Sequence, residues 1–311
     1  MEYNSVVKSV DNGVSISGNN DDLLGQYIAY VDASKSTIAT YKRTLKQFFK
    51  YLSANDITTP QREDVLSFRE HLKETGLKPT TVQNYIIVVR QFFKWTAQAG
   101  IYPDIANHIK GAKLNHAHKK DYLTQSQVKD VLKQIDITTV KGARDYAMIA
   151  LMVTTGLRTI EVARANMDDI RNVGDSPVLY IQGKGKEEKT DYVKLPLQVF
   201  KALMYYRTKL PANYEKLFVS TSNNNKGKAL TSYSVSDIVK NAMKCAGYDS
   251  PRLTAHSLRH TAGTLNLLNG GTLEETQQLL RHSDINTTMI YLHHLERANN
   301  NSETRIADSI F

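Results

Sequence analysis

The residues with most chemistry in them fall in the last sixth of the chain. His256-Ser257-Leu258-Arg259-His260 is followed by Leu279-Leu280-Arg281-His282-Ser283 and then, nine positions past His282, by Tyr291. A tyrosine approached by histidines and arginines is what a metal-free enzyme would use to attack a phosphodiester. His256 and Arg259 are three apart in an expected helix, so their side chains project from one face. Together they could grip one phosphate, the planar guanidinium taking two oxygens and the imidazole donating to a third or relaying a proton. Taken alone, a His-x-x-Arg pair is better read as ordinary helix residues. Tyr291 sits in the short amphipathic segment Asn286–His293, and most of the seventeen tyrosines should be half-buried packing residues. A nucleophilic role requires its phenol, with a reference pKa near 10, to lose its proton as it attacks.

Two further candidates lie upstream. Arg158, in Thr154-Thr155-Gly156-Leu157-Arg158-Thr159-Ile160-Glu161, follows a break after a long apolar helix. It could stand at the entrance of the next helix, where a guanidinium and exposed backbone N–H groups favour an anion. Glu161 could hold a neighbouring basic side chain in place; the plainer reading is an intrahelical surface pair worth about a few tenths of a kcal/mol. Lys184 lies in Gly183-Lys184-Gly185-Lys186-Glu187-Glu188-Lys189. A lysine there could protonate a departing 5′ oxygen, provided its site lowers the pKa from about 10.4. The plainer reading is a solvated hairpin tip, and the segment is too short for a phosphate-binding P-loop. His256 and His260 are four apart and His282, His293 and His294 follow, but a His-Glu-x-x-His glutamate and a cysteine cluster are both missing, so no metal is expected.

The elements that must position these side chains are mostly helical. From Asp21 to about Gly100 apolar residues recur at helical spacing, and four helices are expected. The second runs through Ile38, Tyr41, Leu45, Phe48, Phe49 and Leu52, with Lys42, Arg43, Lys46 and Lys50 on its other faces. Pro60, Gly76 and Pro79 mark the later boundaries. From Asn107 to Asp121 the periodicity stops and cations collect, including Lys113, Lys119 and Lys120. This reads as a basic linker able to track a phosphate backbone. Helices resume at Thr124 and from about Lys141 to Thr155. Val178–Ile181 and Tyr192–Leu195 are β-favouring runs joined as a hairpin. Helical patterns return over Leu197–Leu210, Ser232–Gly247, Thr254–Asn269 and Leu273–Leu280. The expected organisation is a flexible polar tail (1–20), a helical domain (21–106), a linker (107–121), a larger domain (122–297) and a tail (298–311) whose Ile306, Ala307, Ile310 and Phe311 form a small apolar helix.

Composition narrows the class of protein. With 311 residues the chain can build two domains, each with its own core. Forty Lys and Arg against thirty-one Asp and Glu give a net charge of +9, which suits a polyanionic partner as well as it suits a merely basic protein. The lone Cys245 cannot form an internal disulfide, pointing to a reducing compartment. No run approaches the roughly 20 apolar residues of a membrane span, and residues 1–20 lack the pattern of a secretory signal. A cytoplasmic protein with access to DNA is the simplest placement.

Thr-Gly-Leu-Arg with Glu161, Gly-Lys-Gly on a hairpin, His-Ser-Leu-Arg-His, Leu-Leu-Arg-His-Ser and Thr-Thr-x-x-Tyr-x-His occur in one order at compatible distances. This set closely resembles the tyrosine recombinase (phage integrase) family, in particular its compact Xer-like members and the integrases of mobile elements. The match covers essentially all of Thr124 to Leu295, and residues 21–106 resemble the family's SAM-like core-binding domain. The resemblance implies a mainly α fold with a small antiparallel β-sheet, arranged as a two-domain C-shaped clamp on DNA. It makes Arg158, His256 and Arg259 phosphate ligands, His256 also a proton-transfer residue, Lys184 the general acid, His282 a stabiliser of the transition state and Tyr291 the nucleophile. It also implies a 3′-phosphotyrosine intermediate with no cofactor, a double-stranded DNA partner carrying a specific site, and a synaptic homotetramer or a hetero-tetramer with a paralogue. Two departures stand out. The hairpin lacks the family's more usual Gly-Lys-Gly-x-Lys-x-Arg, so Lys186 or Lys189 competes with Lys184, and Arg281 occupies a place often held by Gly. The short polar start leaves no room for a separate arm-type DNA-binding domain. Integration or excision of a mobile element, chromosome-dimer resolution and DNA inversion all use this chemistry, as does a type IB topoisomerase; a DNA-binding regulator without catalysis is the reading from another class.

Overall fold

A computed structural model describes residues 8–10, 13–15, 20–113, 121–183, 185–211 and 214–311; for residues 8–10, 13–15, 20 and 293–299 the description is confined to the backbone. The chain forms two compact units, residues 1–117 and 118–311. Among the described residues no helix is long and apolar enough to cross a membrane.

The first unit is built on α1 (Asn20–Tyr30), α2 (Lys35–Ala54), α3 (Arg62–Glu74) and α4 (Pro79–Gln98). Local chemistry sets their ends. The Ser34 hydroxyl accepts from the Thr37 amide at the start of α2, the Asp64 carboxylate accepts from the Gln61 amide at 2.7 Å before α3, and Pro79 occupies the first turn of α4. The apolar stripes meet in an aromatic core, where Phe48 lies 5.0 Å from Phe68 and 5.9 Å from Phe93, and Tyr27 packs edge-on to Phe92. Within the stretch expected to be a flexible tail, β1 (Lys8–Val10) and β2 (Gly13–Ser15) pair antiparallel.

The beginning of the expected linker is bound to this unit. Ile109 is fully buried, Arg62 donates to the Asn107 carbonyl at 2.6 Å and Arg69 to the Lys110 carbonyl at 2.8 Å. The burial of Ala106 and Ile109 accounts for it: isolated apolar residues without a period anchor this segment to the helical core.

The second unit contains α5 (Gln125–Lys133), α6 (Val140–Thr155), α7 (Thr159–Arg164), β3 (Ile170–Val173), β4 (Ser176–Ile181), β5 (Asp191–Lys194), α8 (Leu197–Thr208), α9 (Ser232–Cys245), α10 (Ala255–Leu268), α11 (Leu273–Leu280), α12 (Asn286–Asn299) and α13 (Ser302–Ile310). As expected, Thr124 caps α5, and Gln127 returns the bond to the Thr124 amide at 2.9 Å. α6 is buried on nearly every face and forms the axis of the core with Leu179, Leu203, Tyr206, Val239 and Leu258. The sheet has three antiparallel strands in the order β3-β4-β5, where the sequence pattern gives only the β4/β5 hairpin. β3 escapes a pattern reading because Arg171, Asn172 and Val173 are all exposed; Gly174, at φ 57, makes the turn into β4.

Candidate active site

The site is assembled where the ends of α6, α7, α10, α11 and α12 converge. α6 stops at Gly156, whose left-handed φ of 63° turns the chain sharply, and an added Cβ would meet Leu280 Cδ2 at 2.6 Å. Arg158 follows at the cap of α7. Its Nη1 pairs with Glu161 Oε1 at 3.0 Å, and its amide donates to Oε2 at 2.7 Å. Glu161 is 1 % exposed and Arg158 is 29 % exposed, so the carboxylate is sealed in while the guanidinium keeps an open side.

Arg259 lies on α10 and is buried. Its Nη1 donates to the Gly156 carbonyl at 2.6 Å and its Nη2 to the Leu280 carbonyl, tying α10 to the ends of α6 and α11. Burial first, then the charges of Arg158 and Arg281, push its pKa down to about 10, opposed by Glu161 and Tyr291. It therefore stays cationic at neutral pH. His256 is exposed one turn earlier on the same helix.

α11 closes with the amide of Arg281 bonded to the Gln278 carbonyl and the amide of His282 bonded to the Gln277 carbonyl, a Schellman ending. This fixes His282 at the helix end. Its Nδ1 is 2.9 Å from the Thr288 hydroxyl on α12, and burial, reinforced by Arg259, Arg158 and Arg281, pushes its pKa down to about 4. The ring is neutral at physiological pH.

Tyr291 is one turn beyond Thr288 and 5 % exposed. Its ring stacks on His282 with centroids 6.5 Å apart and lies 5.4 Å from His260. Gly263 lets α10 approach closely here, since a Cβ there would meet Leu280 Cδ1 at 2.9 Å and touch the tyrosine ring at 3.4 Å. Burial pushes the phenol up to about 12, while Arg259 and Arg158 pull it back. A phenol held protonated but facing two guanidiniums becomes a nucleophile only as its proton leaves.

Arg158, Arg259, His282, Tyr291 and Glu161 thus share one neighbourhood. Lys184 lies outside the described residues. Of its competitors, Lys186 pairs with Asp191 at 2.7 Å and Lys189 with the buried Asp169 at 2.6 Å. Lys42, Arg43, Lys46 and Lys50 are exposed on α2, three of them four residues apart, and Lys113 is exposed; Lys119 and Lys120 lie outside the described residues. Sequence reasoning gave no role to Thr288 or Gly263. The Thr-x-x-Tyr spacing carries a signal for Thr288, since residues three apart share a helix face. Arg281, noted only as a departure, sits inside the site. Among the described residues no group of three or more His, Cys, Asp or Glu side chains is gathered as for a metal ion.

Residues 121–297 match the phage integrase family, and residues 24–100 match the phage integrase N-terminal SAM-like domain. The chain is 33 % identical over 284 residues to tyrosine recombinase XerD of Listeria innocua, covering 88 % of this chain and 93 % of that protein. It is 29 % identical to tyrosine recombinase XerC of Herpetosiphon aurantiacus over 286 residues, covering 87 % and 90 %. Among solved structures, a lambda integrase tetramer bound to a Holliday junction superposes with a TM-score of 0.71 at 17 % identity, covering 90 % of this chain and 78 % of that one. The XerH recombinase bound to its difH substrate after cleavage superposes with a TM-score of 0.67 at 24 % identity, covering 86 % and 80 %. A mainly helical fold carrying a small antiparallel sheet, matched over both units and over more than half the chain by the family's larger domain, makes this chain a member of the phage integrase family of tyrosine recombinases, enzymes that break and rejoin DNA.

Proposed function

We propose that this chain exchanges strands between duplex DNAs at a specific site, with Tyr291 as nucleophile. The observation that carries the proposal is the tyrosine ring stacked on a neutral His282 within the electrostatic reach of Arg259 and Arg158. The phenolic oxygen attacks the scissile phosphorus, the P–O5′ bond breaks, the phenol's proton passes to a base and the departing oxygen takes one up. The products are a 3′-phosphotyrosine and a 5′ hydroxyl. Attack by a partner strand's 5′ hydroxyl reverses the step, so the bond energy is conserved and no cofactor is consumed. Arg158, Arg259 and His256 hold the phosphate, His256 also moves a proton, His282 donates to the charged transition state and Lys184 is the general acid. Glu161 holds Arg158.

The working unit is a DNA-bound tetramer, with the exposed Ile306 and Ile310 of α13 and Phe311 just after it packing on a neighbouring copy. Lys42, Arg43, Lys46, Lys50, Lys113, Lys119 and Lys120 contact the backbone. The cell compartment is the cytoplasm, in keeping with the lone cysteine and a DNA substrate. The use is integration and excision of a mobile element, with chromosome-dimer resolution as the alternative. If the recovered site flanks a discrete element the use is as proposed; a single chromosomal copy opposite the origin argues for dimer resolution.

The protein is incubated with a randomised pool of nicked duplexes, and DNA that stays attached in denaturant is sequenced. One recovered sequence family, with Tyr291→Phe binding it but forming no covalent complex, is expected. Covalent attachment by the Phe variant would remove Tyr291 from the role. Relaxation of any supercoiled plasmid without sequence preference would make the protein a type IB topoisomerase.

A further inference from the structure

Arg281 ends α11 at φ 53° and ψ 49°, a left-handed conformation in which glycine is the usual occupant. An arginine pays a backbone cost there that its side chain must offset. The side chain is 14 % exposed; Nη2 pairs with Glu161 Oε2 at 3.1 Å, and Nη1 donates to the Leu279 carbonyl at 2.8 Å and the Thr155 carbonyl at 3.4 Å. Arg158 holds the other oxygen of the same carboxylate at 3.0 Å. One buried carboxylate is therefore divided between two guanidiniums from different elements.

The charge balance shows what this does. Without Arg281, Glu161 would cancel Arg158 and leave Arg259 alone as net positive charge. With it, three guanidiniums face one carboxylate, and two positive charges remain in excess. A phosphodiester carries one negative charge and its five-coordinate transition state two, so the larger excess favours the transition state over the ground state.

We propose that Arg281 is a positioning residue of the phosphate site: by taking half of Glu161 it leaves the charge of Arg158 for the scissile phosphate and sets the net charge that the transition state meets. The proposal rests on the DNA-breaking reading above.

The test uses the full-length protein and the duplex recovered from the randomised pool, made with either a phosphodiester or an uncharged methylphosphonate at the scissile position. Arg281→Gly suits the left-handed backbone and removes only the side chain; Arg281→Gln repeats the charge loss should the glycine variant fold poorly, and Arg281→Lys keeps the charge. On the phosphodiester the Gly and Gln variants should cleave roughly tenfold or more slowly than the parent, and Lys should recover part of the loss. On the methylphosphonate, whose transition state carries one negative charge fewer, the Gly and Gln variants should come within about twofold of the parent. Equal slowing on both substrates would make Arg281 merely structural and overturn the proposal, as would unchanged cleavage of the phosphodiester. Recovery of no covalently attached duplex from the randomised pool would instead overturn the strand-exchange reading, and this proposal with it.

Discussion

At Tyr291 and His282 burial and charge act on neighbouring rings with different results. Burial raises the phenol to about 12 against the pull of Arg259 and Arg158, whereas burial and the same arginines together lower His282 to about 4. The imidazole cannot accept a proton readily there, which suits a donor of hydrogen bonds to a charged oxygen rather than a base. It also links stability to pH. An unfolded chain protonates this histidine near 6.5 and the folded chain near 4, so the contribution is fully present above pH 6.5 and lost as the pH falls toward 4. The thermal midpoint of the parent should fall more steeply between pH 6.5 and 4.5 than that of His282→Gln; parallel curves would contradict the buried neutral ring. Arg158, Arg259, His282 and Tyr291 were legible in the sequence as residue types in an ordered set. Thr288 was legible only as sharing a helix face with Tyr291; its bond to the His282 ring depends on how α11 ends, which the spacing does not show.

The elements place these groups through their ends. α6 must stop at Gly156 for Arg158 and the Arg259 hydrogen bond to fall where they do, and no side chain fits there. Gly156→Ala would force a Cβ into Leu280 at a left-handed φ, with an expected loss of about 1–3 kcal/mol by denaturant titration; a smaller change would mean that the α6–α11 junction relaxes freely. The helices were legible because their apolar periods, caps, prolines and glycines agree, as at Thr124, Pro79 and Gly76. β3 was not, since a strand with three exposed residues in succession shows no alternation. The packed segment through Ile109 was missed for a related reason: a single buried residue in a cationic run, three places after Ala106, carries no period. Arg281 stood out in the sequence only as an exception, and its partner Glu161 lies 120 positions away in the chain.

For the whole molecule, part of the basic character takes the form of a surface stripe in the first unit. Lys42, Lys46 and Lys50 form an exposed stripe on α2, against a face whose Leu45, Phe48, Phe49 and Leu52 are committed to the core. If this stripe meets phosphates, replacing Lys46 by Ala should weaken binding to all duplexes about equally and reduce the slope of log K against log salt by about 1. An unchanged slope would place the DNA on another face. Net charge alone could not have made this distinction, since +9 fits a basic protein of any kind. The separation of apolar and cationic faces on one helix is what makes it.

The central claim is that a phosphate becomes bonded to Tyr291. It is tested most directly by trapping the covalent complex on the recovered duplex, digesting protein and DNA, and locating the nucleotide adduct by mass spectrometry. The account predicts a single adduct, on Tyr291, joined through the 3′ phosphate, with a free 5′ hydroxyl on the released strand. An adduct on any other residue, or one joined through a 5′ phosphate, would contradict it.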